Sequence, residues 1–370
     1  MYIHCASDRF NYGDLLFPYV VVGYFKDIID DFVICSTTES DLSDRGALKT
    51  EGFHVLQEMN PLHYNILMVA GGECIFCEWK DILGYVREDT EPNAEKIYPT
   101  RYPFTISKQE LPHIDRLLYN SVGCHQLDER EDLYGNAQNR DIMASADYVS
   151  VRDKTTSSGM NRLKVDHYCS PDSAILLSRM YDATYLQGRT THIVREVQKK
   201  RYLFFQIGLV HLKLWTRDFA EILSHIAEEK NVHLCLCPIG TALGHDDHIA
   251  LKKVAELLPT DIYTMIDNPS IWDIMSLISQ AEMYVGSSLH GAITAMSYNR
   301  PLIGFGPRKL QTYIETWYET NADEYSFVSI DNLERRVKQR LDNKFTISAE
   351  RQMSLVEESF GRMRTLICSW

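Results

Sequence analysis

The sequence has 370 residues, of which 45% are hydrophobic, and this is enough apolar material for two hydrophobic cores. Its 51 acidic residues outnumber its 38 basic residues, which gives a formal net charge of −13. This balance argues against a nucleic acid or an anionic membrane surface as the main partner. A phosphate-bearing ligand would therefore need a local cationic pocket.

The lengths of the apolar runs and the positions of the cysteines indicate the cellular compartment of the protein. No stretch approaches the roughly 20 apolar residues of a membrane span, and the opening residues lack the layout of a secretion signal, so we expect a cytoplasmic protein. The nine cysteines lie mostly in apolar runs such as HLCLCPIG, as buried reduced thiols do. Cys74 and Cys77 form a CxxC motif. Together with Cys235 and Cys237 they could supply four thiolate ligands to a zinc ion. Buried thiols are favoured, because strand alternation puts Cys235 and Cys237 on one apolar face, so we predict no metal.

Short apolar runs followed by helical periodicity recur along the chain, which is typical of parallel α/β sheets. We predict an N-terminal α/β domain over residues 1–180, with strands in YIHCA, FVIC, NILMVA, LLYNSVG and YVSVR. Residues 181–200 are polar and are predicted to form a linker region. Residues 201–345 are predicted to form a C-terminal α/β domain, with strands in YLFFQIG, VHLCLCPIG, DIYTMI, AEMYVG and PLIGF, and 346–370 a helix that packs back.

Ligands of open parallel sheets bind outside the carboxyl ends of the strands, so residues at those ends are the first candidates for a site. In NYGD, the first strand is followed by Asn11, Gly13 and Asp14, and Asp14 either caps the next helix or faces a cleft. In VAGGE, Gly71 and Gly72 permit a close backbone approach and expose N–H groups that can hold an anion. Plain turns also use such glycine pairs.

Two further strand ends carry cationic or titratable side chains. Arg152 ends the strand YVSVR, from which a guanidinium can grip a carboxylate or phosphate; alternatively, Asp153 pairs with it or caps the next helix. His290 follows the strand AEMYVG and the cap residues Ser287 and Ser288, in the first turn of a predicted helix. This position suits proton donation and contact with an anion, although a buried histidine bonded to a backbone carbonyl is equally compatible with it.

Two charged segments remain. Arg308 and Lys309, in GPRKLQTY, are predicted to overhang the same strand ends as His290, or else to lie in a solvated loop. The run HDDH, from His245 to His248, suggests either a metal site or an acidic helix start. We favour the helix start, because carboxylates suit the positive end of a helix dipole.

Taken in order, the segments NYGD, VAGGE, NSVGCH, ASADYVSVRDKTTSSGM, SPDSAILLS and NPSIWDIMSLISQAEMYVGSSLHGAITAMSYNRPLIGFGPRK resemble the polysaccharide pyruvyl transferase family. The resemblance implies a GT-B-like fold, with two doubly wound Rossmann-like domains that face a central cleft. It also implies transfer of pyruvate from phosphoenolpyruvate onto a sugar or lipid-linked oligosaccharide, as a ketal, in the biosynthesis of a cell-surface polysaccharide. Arg152 and His290 would contact phosphoenolpyruvate, and Asp14 would face the acceptor as a base.

The remaining predicted site residues lie in the same motifs and at the same strand ends. The donor side would comprise Ser287, Ser288, Leu289, Gly291, Arg308 and Lys309, and the acceptor side or cleft lining Asn11, Gly13, Gly71, Gly72 and Gly123. Ser288 stands where the family's best-known motif has an arginine, so either Arg308 or Lys309 replaces that charge, or the donor is held differently, or the chemistry is lost. The chemistry needs no redox cofactor and no obligatory metal. The alternatives are a GT-B glycosyltransferase that uses a nucleotide sugar, and an inactive sugar-binding protein.

Overall fold

A computed structural model describes residues 1–85, 100–212, 215–318 and 326–369. The first of its two parallel sheets has the strand order β2-β1-β3-β5-β6-β7, and β4 pairs with β5. Its strands are β1 (Tyr2–His4), β2 (Val33–Cys35), β3 (Ile66–Val69), β4 (Gly72–Glu73), β5 (Arg116–Gly123), β6 (Tyr148–Val151) and β7 (Tyr168–Cys169). The strands predicted from apolar runs are present, whereas β4 and β7 are too short to show a periodicity.

The second sheet has the order β10-β9-β8-β11-β12, and all of its pairs are parallel. Its strands are β8 (Tyr202–Gln206), β9 (His233–Leu236), β10 (Tyr263–Met265), β11 (Met283–Gly286) and β12 (Leu302–Gly304). β8 and β11 are buried at every position, because helices cover both faces of the sheet. Two such layered parallel sheets confirm the predicted doubly wound α/β architecture.

Helices connect and cover the strands. They are α1 (Tyr12–Phe25), α2 (His54–Gln57), α3 (Trp79–Gly84), α4 (Glu131–Tyr134), α5 (Ala137–Ala144), α6 (Lys154–Leu163), α7 (Leu177–Met180), α8 (Ala183–Gln187), α9 (His192–Gln198), α10 (Leu209–Leu212), α11 (Thr216–Lys230), α12 (Asp247–Ala255), α13 (Ile271–Gln280), α14 (Leu289–Ser297), α15 (Arg308–Trp317), α16 (Ile330–Asn343) and α17 (Glu350–Cys368). Within the described ranges, every helix is too short or too polar to cross a bilayer.

The segment predicted as a linker, 181–200, contains α8 and α9, and both pack against α13. The backbone N–H of Thr191 donates to Asp273 Oδ1 at 2.8 Å, which fixes the start of α9 on that helix. The C-terminal helix α17 packs back on the first sheet, as expected. There Phe360 is fully buried against Phe25, and Ser359 lies 2.9 Å from the hydroxyl of Tyr148.

The carboxyl ends of the two sheets face each other. Asn11, at the end of the loop that follows β1, forms an antiparallel bridge with Gly240, which follows β9. The backbone N–H of Tyr12 donates to the carbonyl oxygen of Ile239 at 2.8 Å. Helix α1 also packs against α13 and α14 of the second sheet. The loops that follow the strands therefore enclose one cleft between the two halves.

Candidate active site

A cavity of about 550 Å³ occupies this cleft. Both halves contribute to its walls, through the loops that follow β1, β3 and β6 on one side and β8, β9, β11 and β12 on the other. The cavity brings together the following residues of the sequence prediction: Asn11, Asp14, Gly71, Gly72, Arg152, Ser287, Ser288, Leu289, His290 and Lys309. Side chains that are distant in the sequence thus line one space.

Arg152 lies at the end of β6, with its side chain only 2% exposed. Its Nη2 pairs with Glu73 Oε2, and its Nη1 donates to Asp172 Oδ2 at 3.3 Å. Burial acts to lower the pKa of Arg152, but the charges of Glu73 and Asp172 outweigh it and raise the pKa. Gly123 lies behind the cavity and leaves room for the guanidinium of Arg152, because a Cβ on Gly123 would lie 2.7 Å from Arg152 Nε.

His290 lies in the first turn of α14, as predicted. Ser288 is the N-cap, and its Oγ accepts from the backbone N–H of Gly291 at 3.3 Å. His290 Nε2 lies 3.1 Å from Asp172 Oδ2, the same oxygen that accepts from Arg152. Burial acts to raise the pKa of Asp172, but His290 and Arg152 together lower it. The partner of this buried histidine is therefore a carboxylate and not a backbone carbonyl.

Two predicted site glycines lie behind the cavity and not on its wall. A Cβ on Gly13 would lie 1.8 Å from His290 Nδ1, so α1 packs directly on the imidazole, next to Phe17. A Cβ on Gly291 would lie 2.4 Å from the hydroxyl oxygen of Tyr284. Together with Gly123, these glycines allow close packing around the site, and their predicted contacts with a ligand stay predictions.

Asp14 faces the cleft. Asn11 occupies the N-cap of α1, and its side-chain amide donates to Asp14 Oδ2 at 2.7 Å, so Asp14 does not cap this helix. Asp14 Oδ1 lies 3.4 Å from the Cβ position of Gly72. Gly71 and Gly72 have φ values of +125° and +96°, which favour glycine. The turn after β3 therefore brings its backbone close to the carboxylate of Asp14.

The two cations at the start of α15 have different environments. Lys309 lines the cavity, where burial lowers its pKa, while the charges of Glu73 and Asp14 act to raise it. Arg308 lies outside the cavity and pairs with Glu129 at 2.9 Å, with both side chains 53% exposed. The guanidinium of Arg308 therefore points to the surface, and its role in donor binding stays a prediction. The indole Nε1 of Trp317 donates to the carbonyl oxygen of Arg152 at 2.7 Å and docks α15 on the first domain.

The N-terminal amides of α14 are partly occupied. Gln206 Oε1 accepts from the backbone N–H groups of Ser287 at 3.1 Å and Ser288 at 3.0 Å. Ser287 Oγ accepts from the backbone N–H of Gly208 at 3.2 Å. Within the described part of the chain, the N–H groups of Leu289 and His290 have no hydrogen-bond partner. Any anion at this helix end would therefore meet those two amides first.

Sequence reasoning missed the partners of these residues. Glu73 and Asp172 stand inside the motifs VAGGE and SPDSAILLS, but nothing in a single sequence showed that they pair with Arg152. Asp153 caps α6 through the N–H of Thr156 at 2.8 Å, which was one of the open alternatives. Asp247 does begin α12, but its side chain is buried and faces the cleft.

No metal cluster is found where the structure describes the chain: it contains no group of three or more potential ligands among His, Cys, Asp and Glu. The nine cysteines are free thiols. Cys235 and Cys237 lie at 0% exposure in the same core, as strand alternation predicted. Burial raises the pKa of Cys77 to about 12, which disfavours its thiolate.

Comparison with solved structures supports the fold. The UDP-GlcNAc 2-epimerase of Methanocaldococcus jannaschii, in complex with UDP-GlcNAc and UDP, is 10% identical over 99% of this chain and 98% of its own, with a TM-score of 0.60. The UDP-GlcNAc 2-epimerase of Neisseria meningitidis, bound to UDP-GlcNAc, is 8% identical over 99% and 100%, with a TM-score of 0.58. Anabaena HepE, in complex with UDP and glucose, is 10% identical over 100% of both chains, with a TM-score of 0.51. At these identities the likeness shows the GT-B fold alone.

Sequence comparison identifies the family. No curated protein matches this chain significantly. The family model described as polysaccharide pyruvyl transferase matches residues 135–308, a segment that contains Arg152, Asp172 and His290. This match confirms the resemblance that the ordered motifs indicated. Residues 135–308 therefore carry the similarity to polysaccharide pyruvyl transferases, and this family match identifies the protein as a transferase.

Proposed function

We propose that this protein transfers pyruvate from phosphoenolpyruvate onto two hydroxyls of a sugar and so forms a cyclic ketal. The observation that carries the proposal is that one buried oxygen, Asp172 Oδ2, bonds both Arg152 and His290 beside the cavity that Lys309 lines. Two cationic side chains and an imidazole suit a donor that carries a carboxylate and a phosphate.

The reaction balances without an added reactant. C3 of phosphoenolpyruvate gains a proton and becomes a methyl group, while C2 forms a bond to the first hydroxyl oxygen. The bond between C2 and the phosphate oxygen then breaks, its electron pair leaves with phosphate, and the second hydroxyl oxygen bonds to C2. Of the two hydroxyl protons, one balances the proton added to C3 and the other leaves on phosphate. The reaction so written needs neither a redox cofactor nor a metal.

The acid and the base of this scheme come from opposite halves. His290 protonates C3, and Asp172 orients its imidazole through the 3.1 Å contact with Nε2, as carboxylate partners of catalytic histidines do. Asp14 accepts the proton of the first hydroxyl through Oδ1, because Oδ2 is held by Asn11. Both side chains line the same cavity.

Lys309 compensates for Ser288. The serine supplies no charge, and its Oγ is engaged in capping α14. Lys309 reaches the cavity from α15. Its ammonium group interacts electrostatically with Glu73, Arg152 and Asp14. A donor anion would compete with Glu73 for Arg152, so binding includes an exchange of one carboxylate for another on the guanidinium.

The acceptor is a sugar with two hydroxyls within reach of one carbon. We place this sugar in a precursor of a cell-surface polysaccharide that is assembled on the cytoplasmic side, because that is the setting of the family that the chain matches. The competing candidate is a nucleotide-sugar transferase. It draws support from the UDP complexes of the structural neighbours and from the two unpaired N–H groups at the start of α14.

Thermal stabilisation distinguishes the two candidates, because a ligand that binds only the folded state raises the melting temperature. We expect phosphoenolpyruvate to stabilise the wild type, and UDP-GlcNAc and UDP-glucose to leave it unchanged. Lys309→Ala and His290→Ala should lose this shift in part or whole, whereas Arg308→Ala, the matched surface control, should keep it. Stabilisation by a UDP-sugar alone would refute pyruvyl transfer in favour of the glycosyltransferase.

A further inference from the structure

Asp247 is a buried carboxyl on the second wall of the cleft, with an exposed fraction of 2%. Its Oδ2 accepts from Gln206 Nε2 at 2.9 Å and from the backbone N–H groups of Ile239 and Gly240, both at 3.0 Å. Three donors on one oxygen fix the carboxyl in place. The same Gln206 holds the amides of Ser287 and Ser288, so the carboxyl is tied to the start of α14.

The other oxygen, Asp247 Oδ1, has no hydrogen-bond partner within the described ranges of the chain. It is reached from the cavity that Asp247 lines, beside Gly208, whose Cβ position would lie 3.4 Å away. Asp247 is thus a carboxyl held rigidly through one oxygen, while the other oxygen faces the cavity, where a ligand donor can reach it. The ligand group that suits it is a hydroxyl.

We propose that Asp247 is the second proton acceptor of the cleft and that its Oδ1 takes the proton of the hydroxyl that closes the ketal. This inference rests on the proposed pyruvyl transfer. Asp14 serves the first hydroxyl from the N-terminal half, and Asp247 serves the second from the C-terminal half. As the bond between C2 and the phosphate oxygen breaks, the second hydroxyl oxygen bonds to C2, and its proton passes through Oδ1 to the departing phosphate.

The environment of Asp247 suits this role. Burial raises its pKa to about 7, although the hydrogen bonds from Ile239, Gln206 and Gly240 oppose the rise. A carboxyl with such a pKa accepts and releases a proton at neutral pH. The titratable side chains that interact with Asp247 or lie beside Gly208 are Asp246, Cys237, Tyr284, His245 and His211, and His290 and Lys309 line the same cavity.

The test uses Asp247→Asn, with Asp246→Asn as the matched control on the same turn. The assay measures phosphate release from phosphoenolpyruvate with methyl glycosides of galactose, glucose and mannose as acceptors, from pH 5.5 to 8.5. Asp247→Asn should keep the stabilisation by phosphoenolpyruvate but lose at least about 100-fold in kcat, together with the wild-type pH dependence near neutrality. Asp246→Asn should stay within about twofold of the wild type.

Two further measurements separate catalysis from structure. In D₂O, Asp247→Asn should still exchange deuterium into C3 of recovered phosphoenolpyruvate, because the first addition is intact, whereas Asp14→Asn should not. Gly208→Ala leaves the Asp247 network intact and places a methyl group against Oδ1, so it should raise the KM for the acceptor.

Wild-type turnover in Asp247→Asn, or deuterium exchange lost along with phosphate release, would overturn the assignment of Asp247 while pyruvyl transfer stands. A wild type that neither binds nor consumes phosphoenolpyruvate would overturn both proposals together. The two failures are therefore distinguishable.

Discussion

Replacing Asp172 by asparagine tests the centre of the site. Asp172 is fully buried, and one of its oxygens accepts from Arg152 at 3.3 Å and lies 3.1 Å from His290 Nε2. A hydrogen bond to a charged group contributes about 1.5–3 kcal/mol, so losing the charge at two such contacts predicts a loss of about 3–6 kcal/mol of stability. Removing one member of a buried ion pair costs a similar amount.

Urea unfolding measures this loss directly. Asp172→Asn should lower the free energy of unfolding by about 3–6 kcal/mol, with an unchanged dependence on urea concentration. Asp153→Asn is the matched control, because asparagine caps a helix about as well as aspartate, so its loss should stay below about 0.5 kcal/mol. A loss below about 1 kcal/mol in Asp172→Asn would refute the reasoning, since it would mean that the buried guanidinium does not need this partner.

The pH dependence of the same difference gives a second check. The pKa of Asp172 is lowered in the folded state, since His290 and Arg152 together outweigh the effect of burial. A lowered carboxyl pKa contributes stability that is present above the unfolded pKa of about 3.9 and is lost as the pH falls through the folded value. The part of the difference between wild type and Asp172→Asn that comes from ionisation of the Asp172 carboxyl should therefore shrink only below about pH 4.

Three further predictions follow from other parts of the structure. Gly13→Ala should abolish turnover, measured as phosphate release, because its Cβ would lie 1.8 Å from His290 Nδ1; normal turnover would contradict this packing. Lys309→Ala should weaken phosphoenolpyruvate binding at least about tenfold in calorimetry, whereas Arg308→Ala, whose ion pair is exposed, should change it less than about twofold. Burial, assisted by Lys200, lowers the pKa of His233 to about 4. This histidine therefore contributes stability that is present above its unfolded pKa of about 6.5 and is lost as the pH falls towards 4. In thermal unfolding, His233→Gln should lose less stability than the wild type over that interval, and an equal loss would contradict the assignment.

The two-sheet architecture could be predicted because most strands are visible in the sequence as short apolar runs. β8 and β11 read as short apolar runs in the sequence, and the serine before His290 marks the start of α14. Strands of two residues, such as Gly72–Glu73, carry no such signal. Periodicity therefore predicted the two sheets and the place of His290, but not the short strand that carries the carboxylate partner of Arg152.

The ion pairs and hydrogen bonds of the site could not be predicted in this way, because the two partners of each pair come from distant segments of the sequence. Arg152 was expected either to grip a ligand anion or to pair with Asp153, yet Glu73 and Asp172 engage it. Arg308 and Lys309 are adjacent in sequence, but successive residues of a helix point in different directions, so only Lys309 enters the cavity. Such differences depend on tertiary packing, which one sequence does not show.

The most direct test of the proposed chemistry follows the pyruvyl group itself. Phosphoenolpyruvate labelled with ¹³C at C3 is incubated with the protein and a panel of methyl glycosides, and the products are analysed by NMR with parallel phosphate measurement. We predict a labelled methyl group on a ketal carbon attached to two sugar oxygens, formed with one equivalent of phosphate and absent in His290→Ala. Label that stays in phosphoenolpyruvate, while a UDP-sugar is consumed under the same conditions, would contradict pyruvyl transfer.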